Sequence, residues 1–174
     1  MLLLLLMFTL GWFAWTLVEY TIHGFLSHVF ATPVTSLHDA HHRDPHAVFT
    51  AGMWGPVFLV SAIVFAMFGL TPGSAVWLGI VAGFFCYEVF HYRIHFARPL
   101  CAFEEHMRTR HLAHHMRAPE QIFGVTNRIW DRIFGSEPDD ARLAEMQASV
   151  ATTRPLTGRT NFHRVLRPWT YLTR

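Results

Sequence analysis

The sequence predicts an all-α integral membrane protein of about three transmembrane helices, with a helical, histidine-rich di-metal site at the cytoplasmic face. Three observations predict it. The chain of 174 residues is 52% hydrophobic, 15% aromatic and only 15% charged, with a mean hydropathy of +0.25; a soluble domain usually carries about 25% charge. Its apolar residues gather in runs of near-membrane length. Of its 13 histidines, all but His163 fall between His23 and His46 or between His91 and His115.

The first apolar run, Leu2 to Tyr20, opens on five leucines and stays uncharged through Val18. That is close to the ~20 residues a spanning helix needs. The run has no basic flank and no small-residue cleavage site, which predicts a retained span rather than a removed signal peptide. Its helix is expected to continue towards His28. The second run, Met53 to Leu70, and the third, Ser74 to Tyr87, are separated by Thr71-Pro72-Gly73, a turn signal. The pattern of the third continues through His91 and His95. These two runs predict a helical hairpin that crosses the bilayer and returns. The turn carries no Arg, whereas the opposite ends carry Arg43, Arg93, Arg98, Arg108, Arg110 and Arg117. The positive-inside rule places that end, and the histidines with it, in the cytoplasm.

Glu104 to Met116 reads as a short helix ended by Pro119. Phe123 to Gly135 reads as a loop followed by an amphipathic segment, and Asp139 to Ala148 as a surface helix with Asp139 and Asp140 near its start. The expected organisation is a membrane-embedded domain over residues 1–136 and an amphipathic, basic tail over 137–174. In that tail Arg154, Arg159, Arg164, Arg167 and Arg174 lie near Phe162, Trp169 and Tyr171. The mixture suits an anionic membrane surface or a solvated irregular tail. All 14 basic residues are Arg, yet the formal charge is only +2 and no basic stripe accompanies a nucleic-acid motif, which excludes nucleic acid as a partner. Cys86 and Cys101 have no CxxC spacing and lie in or beside apolar sequence, which predicts free, buried thiols. No Ser-His-Asp order or phosphate-binding loop is present.

The histidines form a doubled pattern. His38-Asp39-Ala40-His41-His42 and His111-Leu112-Ala113-His114-His115 share one spacing, and the pairs His23/His28 and His91/His95 precede them. On a helix the three imidazoles of each HxxHH fall within an arc of about 100°, and His91 and His95, four apart, share a face. His23 and His28 are five apart and would splay by about 140° on an ideal α-helix. They converge only if the helix loosens there or if each serves a different metal. Neutral imidazole is a common ligand of iron, zinc and copper. One zinc takes about four ligands and one iron about five or six. Ten histidines therefore predict two metals with about five ligands each. Glu19, Asp39, Glu88, Glu104 and Glu105 are candidates for offsetting the charge and fixing the ring tautomers, or are plain surface and helix-end carboxylates. His46, His106 and His163 lie outside the pattern. Trp54, Phe58, Phe84, Phe85 and Phe90 are candidates for an apolar pocket, although most are expected to face lipid or the core.

The chain resembles the fatty acid hydroxylase superfamily, also called the sterol desaturase family, whose members carry histidine boxes. The residues that match are His23-Gly-Phe-Leu-Ser-His28, His38-Asp-Ala-His41-His42, His91-Tyr-Arg-Ile-His95, His111-Leu-Ala-His114-His115 and the following Phe123 to Gly135. Together they cover about residues 15 to 136. Glu19-Tyr20 and the box spacings look most like fatty acid 2-hydroxylases. The resemblance implies two Fe ions as cofactors, with Zn as a substitute in purified samples, held by the ten box histidines. It implies a lipid substrate, O₂ and hydroxylation of a C–H bond, most readily on a fatty acyl chain. Nothing in the sequence resembles a cytochrome b5 domain, so the electrons are expected from a separate ferredoxin or cytochrome b5-like protein. Two alternatives stay open. One is a carotenoid or sterol oxidase on the same core. The other is a non-catalytic membrane metal-binding or transport protein, which would call for ionisable residues at mid-membrane depth.

Overall fold

The computed structural model describes residues 1–30, 32–45 and 51–151. Among these every regular element is helical: α1 (Leu2–Thr21), a π-helical continuation (Ile22–Val29), α2 (Pro33–Arg43), α3 (Ala51–Phe68), α4 (Pro72–Phe96), α5 (Ala102–Arg117), α6 (Ile129–Phe134) and α7 (Asp140–Ala151). The basic tail beyond Ala151, and with it His163, lies outside the described residues, as does His46.

Among the described residues two helices are long and apolar enough to cross a membrane, Leu2–Val29 and Pro72–Phe96; the described side chains of α3, Trp54–Phe68, form a shorter apolar stretch. Two of the three expected spans thus meet the length requirement. Helix α1 is apolar around its whole circumference, with Leu2, Leu3, Leu5, Leu6 and Leu10 exposed. Such a helix needs an apolar environment on its outer face.

Helices α1 and α4 form the main packed pair, and their approach is set by small residues. A Cβ on Gly79 would collide with the carbonyl oxygen of Phe8, and one on Gly11 with that of Val76. A Cβ on Gly83 would come within 2.6 Å of the Trp15 side chain. Gly79 and Gly83 are four apart, so both lie on the face of α4 that meets α1, the small-xxx-small arrangement of close helix crossings. Trp15 covers Gly83 and meets Phe84 edge-to-face at 5.3 Å. On the other side of α4, Trp77 donates to Ser61 of α3 at 2.9 Å, and Phe85 packs on Trp54 and Phe58.

The starts of α2 and α4 are built alike. Thr32 and Thr71 are N-caps, each followed by Pro at the first helical position and each in a capping box, with Thr35 and Ser74 respectively. Pro tolerates that position because its missing N–H has no helical partner there. Thr32 and Thr35 also donate to the Leu26 carbonyl at 2.7 and 3.1 Å, and Thr35 to that of Phe30 at 2.8 Å. They thereby satisfy carbonyls at the end of the π-helical segment and tie α2 to it.

Helix α5 carries two apolar seams. Ala113, with Ala118 and Ile122 beyond it, packs on Leu143 and Met146 of α7. Met107 packs with Ile94 and Val125. Helix α6 docks on the C-terminal half of α1, where Trp130 donates to Thr16 at 2.9 Å and Phe134 stacks on Tyr20 at 5.3 Å. The sequence reading of the cysteines is half right. Both are free, but both are exposed, since Cys86 lies on the outer face of α4 and Cys101 in the turn before α5.

Gly79→Ala is expected to force α1 and α4 apart and to cost roughly 1–3 kcal/mol, the usual range for overpacking. Gly55→Ala is its control, because a Cβ there meets nothing within 4 Å. Thermal unfolding in detergent micelles should show a lowered midpoint for the first and none of that loss for the second.

Candidate metal centre

Four helical segments deliver the ten box histidines to one region. The π-helical segment carries His23 and His28, α2 carries His38, His41 and His42, α4 carries His91 and His95, and α5 carries His111, His114 and His115. The π-helix resolves the splay expected for His23 and His28. Its wider turn, with hydrogen bonds to i−5 such as Phe30 N to Phe25 O at 2.9 Å, brings residues five apart towards one side. The two rings lie 5.6 Å apart between centroids.

The imidazoles fall into two groups of five. His23, His28, His38, His42 and His114 form one; His41, His91, His95, His111 and His115 form the other. Within each group one ring nitrogen per residue lies within 4.8 Å of all the others. The two HxxHH motifs are divided between the groups in complementary fashion. His38 and His42, one turn apart on α2, join the first, while His41 between them joins the second. His111 and His115 join the second, while His114 joins the first. The groups adjoin, with His42 of the first stacked on His115 of the second at 4.1 Å.

The ring chemistry fits a cation. His23 Nδ1 is 2.6 Å from the Phe123 carbonyl oxygen and His114 Nδ1 is 2.7 Å from that of Gln121. A carbonyl only accepts, so both Nδ1 atoms carry the proton and both Nε2 atoms present lone pairs in the neutral rings. Those two Nε2 atoms face each other at 3.1 Å. Two lone pairs at that distance repel, and a metal ion between them turns the contact favourable. Other Nε2 separations in the first group are 2.8 Å for His28–His38 and for His38–His42, and 3.2 Å for His42–His114. In the second group His111 Nε2 lies 2.9 Å from that of His91 and 3.0 Å from those of His95 and His115. Nitrogens each about 2.0–2.1 Å from one ion would stand about 3 Å apart at tetrahedral or octahedral angles. Both ring nitrogens of His41 are buried without a hydrogen-bond partner, which a buried polar group rarely tolerates unless something else satisfies it.

Burial, reinforced by the neighbouring histidines, keeps these rings neutral. It holds His38, His41, His111 and His115 well below the ordinary imidazole value, and brings His42 down to about 4. His114 falls to about 3, burial outweighing the opposing hydrogen bond to Gln121. The neutral ring is the ligating form. The first group is the more open, with His28, His38 and His42 half-buried, whereas four of the five in the second are buried.

Three of the five candidate carboxylates have other partners. Glu19 is buried but accepts from the backbone N–H groups of Val125 and Thr126 at 2.8 and 2.9 Å. Glu104 pairs with Arg93 at 2.7 Å. Glu88 is buried and accepts from Trp54 at 3.4 Å. Asp39 and Glu105 are exposed. The acceptors that orient His23 and His114 are instead backbone carbonyls, which no residue-type pattern announces. His106 joins neither group and lies half-buried near Arg110. Of the aromatic candidates, Phe84 packs into the α1–α4 contact and Phe90 beside Ile94, Met107 and Val125, while Trp54, Phe58 and Phe85 pack together between α3 and α4.

Comparison with known proteins points one way. The fatty acid hydroxylase family model matches residues 8–136. A ceramide very long chain fatty acid hydroxylase of Schizosaccharomyces pombe is 34% identical over 144 residues, covering 75% of this chain and 42% of the relative. A dihydroceramide fatty acyl 2-hydroxylase of Arabidopsis thaliana is 30% identical over 148 residues, covering 74% and 59%. The fatty acid 2-hydroxylase of Mus musculus is 31% identical over 146 residues, covering 74% and 38%. The chain thus spans about two-fifths to three-fifths of the length of these relatives. A solved structure described as full-length scs7p, with only the hydroxylase domain visible, superposes with a TM-score of 0.65 at 30% identity, covering 79% of this chain and 57% of that one.

The imidazole shifts predict an acid limit for the metal-free protein. Unfolded histidines titrate near about 6.5, whereas the folded values lie lower, so the unfolded chain takes up protons first as pH falls. The contribution to stability is full above about pH 6.5 and erodes towards the folded values of about 4 for His42 and about 3 for His114. Circular dichroism of metal-free protein in micelles should show the unfolding midpoint falling steadily between pH 6.5 and pH 4. A flat profile would contradict the burial of these rings.

Proposed function

The chain belongs to the fatty acid hydroxylase family, and from that premise we propose that it is an O₂-dependent, di-iron lipid hydroxylase acting on a fatty acyl chain. The observation that carries this reading is the pair of adjoining five-histidine groups, on a chain whose named relatives act on ceramide and fatty acyl substrates. In the proposed assignment, His23, His28, His38, His42 and His114 hold one iron and His41, His91, His95, His111 and His115 the other. Zinc is a substitute the same nitrogens accept.

In the reaction a substrate C–H bond and O₂, with two electrons and two protons, give an alcohol and water. When bound, the iron pair supplies the redox chemistry, which no side chain here possesses. The chain's own residues keep ten rings neutral and convergent. Burial of His41, His91, His95 and His111 keeps water from one side of the site. The Trp54, Phe58 and Phe85 cluster joins α3 to α4, and Trp54 donates to Glu88, three residues before His91, a surface suited to an acyl chain arriving from the bilayer. The electrons come from a ferredoxin or cytochrome b5-like donor. The catalytic unit is residues 1–136, with 137–174 as an appended segment whose α7 packs on α5. The arginine distribution supports a multi-pass topology, α3 included, with the histidine end on the cytoplasmic side.

The relatives' acyl-chain names favour this substrate class over carotenoids or sterols. Transport is disfavoured because the histidines sit at one end of the apolar helices, not at mid-depth.

Lipid profiling of cells with and without the protein tests the substrate: 2-hydroxy acyl chains should appear with it, whereas oxidised sterols or hydroxylated carotenoids would move the assignment. His41→Ala and His114→Ala are each expected to lower turnover by at least about 100-fold, as loss of a metal ligand should, with membrane insertion retained. Full activity in either would remove that residue from the metal site.

A further inference from the structure

The two histidine groups differ in what stands behind them. In the first, His23 and His114 are both anchored through Nδ1 to carbonyls of one backbone segment, those of Phe123 and Gln121. In the second, the buried Nδ1 atoms of His41, His91 and His111 have no hydrogen-bond partner. The anchoring segment runs from Ala118 to Arg128, between α5 and α6, and has no regular structure to hold it. Ile122 within it has φ of 62°, a conformation that costs a branched side chain energy unless its surroundings impose it.

Two buried carboxylates impose it. Asp131 accepts from Phe123 N at 2.8 Å and from Gly124 N at 3.0 Å. Glu19 accepts from the next two N–H groups, Val125 and Thr126. Asp131 is itself fully buried and fixed by Arg110 at 3.1 Å and by the Ser136 hydroxyl at 2.7 Å. Ser136 in turn meets the Tyr20 hydroxyl at 2.8 Å, and its carbonyl accepts from Ile122 N at 3.1 Å. Arg110 is held further by Glu137 at 2.8 Å. Two glycines make the fit possible. A Cβ on Gly124 would strike the Asn127 carbonyl and come within 2.8 Å of the Asp131 carboxylate, and one on Gly24 would come within 2.9 Å of the Phe123 ring.

We propose that this strap makes the two metal positions unequal: the ion held by His23, His28, His38, His42 and His114 is bound more tightly than its neighbour, and Asp131 is the positioning residue responsible. The inference rests on the reading that both groups hold a metal. A carbonyl behind a ligating histidine fixes its tautomer and ring plane and makes Nε2 a better donor, and losing such a partner typically costs about 10–100-fold in metal affinity. Asp131 acts one step further back: it accepts from the Gly124 N–H, which shares a peptide with the Phe123 carbonyl, and it fixes Ser136, whose own carbonyl accepts from the Ile122 N–H in the peptide of the Gln121 carbonyl. In Asp131→Asn an amide NH₂ replaces one of two oxygens that each face a backbone N–H, so one of the two strap bonds must break.

The test is an equilibrium titration of the full chain in detergent micelles with zinc ions alone, in competition with a chromophoric chelator. The wild-type protein is expected to release zinc in two steps. His23→Ala should remove the tighter step and His91→Ala the weaker. Asp131→Asn should weaken the tighter step by about 10–100-fold and leave the weaker step and the helical circular dichroism unchanged. A variant that was merely unstable would lose both steps together. If Asp131→Asn does not fold, Glu19→Gln in the same titration should produce the same selective loss. Two equal steps in the wild type, equal weakening of both steps in a folded variant, or no change in either would overturn the proposal while leaving the di-metal reading intact. A wild-type protein that binds no zinc and no ferrous iron would overturn both.

Discussion

Ten imidazoles must be held uncharged with their lone pairs converging, and nearly every other feature of this structure follows from that requirement. Converging lone pairs repel, so the fold has to supply rigidity that the rings do not provide for themselves. It does so by drawing them from four helical segments. Each segment is fixed independently: by the α1–α4 glycine contact, by the threonine boxes at the start of α2 and α4, and by the α5–α7 seam. A metal ion held between them would reverse the repulsion, and the fold keeps the arrangement standing to receive one.

Much of this was legible in the sequence. HxxHH on a helix necessarily presents its three rings on one arc, and the apolar runs marked α1, α3 and α4 within a few residues. Glu104 to Met116 fell inside α5, and Asp139 to Ala148 overlapped most of α7. The five-residue gap between His23 and His28 conflicted with an α-helix, and the conflict marked a real departure, the π-helical turn. The division of each HxxHH between two groups was not legible. Periodicity says that three rings share a face, not that α2 lies close enough to α5 for neighbours on one face to diverge to different partners.

The strap was invisible for a different reason. Its working atoms are backbone carbonyls and N–H groups, present at almost every residue. The side chains that organise it, Glu19 and Asp131, lie 112 positions apart. Sequence proximity put Glu19 beside the first histidine pair and suggested a role towards the rings. Its oxygens in fact serve Val125 and Thr126. At Glu19 and Asp131 carboxylates hold backbone, and at His23 and His114 that backbone holds imidazole.

The complementary splitting of the two HxxHH motifs has a consequence for how the protein comes into being. Each five-membered group takes rings from both the early part of the chain, at α2, and the late part, at α5. A nascent polypeptide that has not yet released α5 possesses neither set complete. Neither group can offer a metal ion its full set of rings until α5 has been made and the helices have assembled, and a half-made chain offers only incomplete chelates.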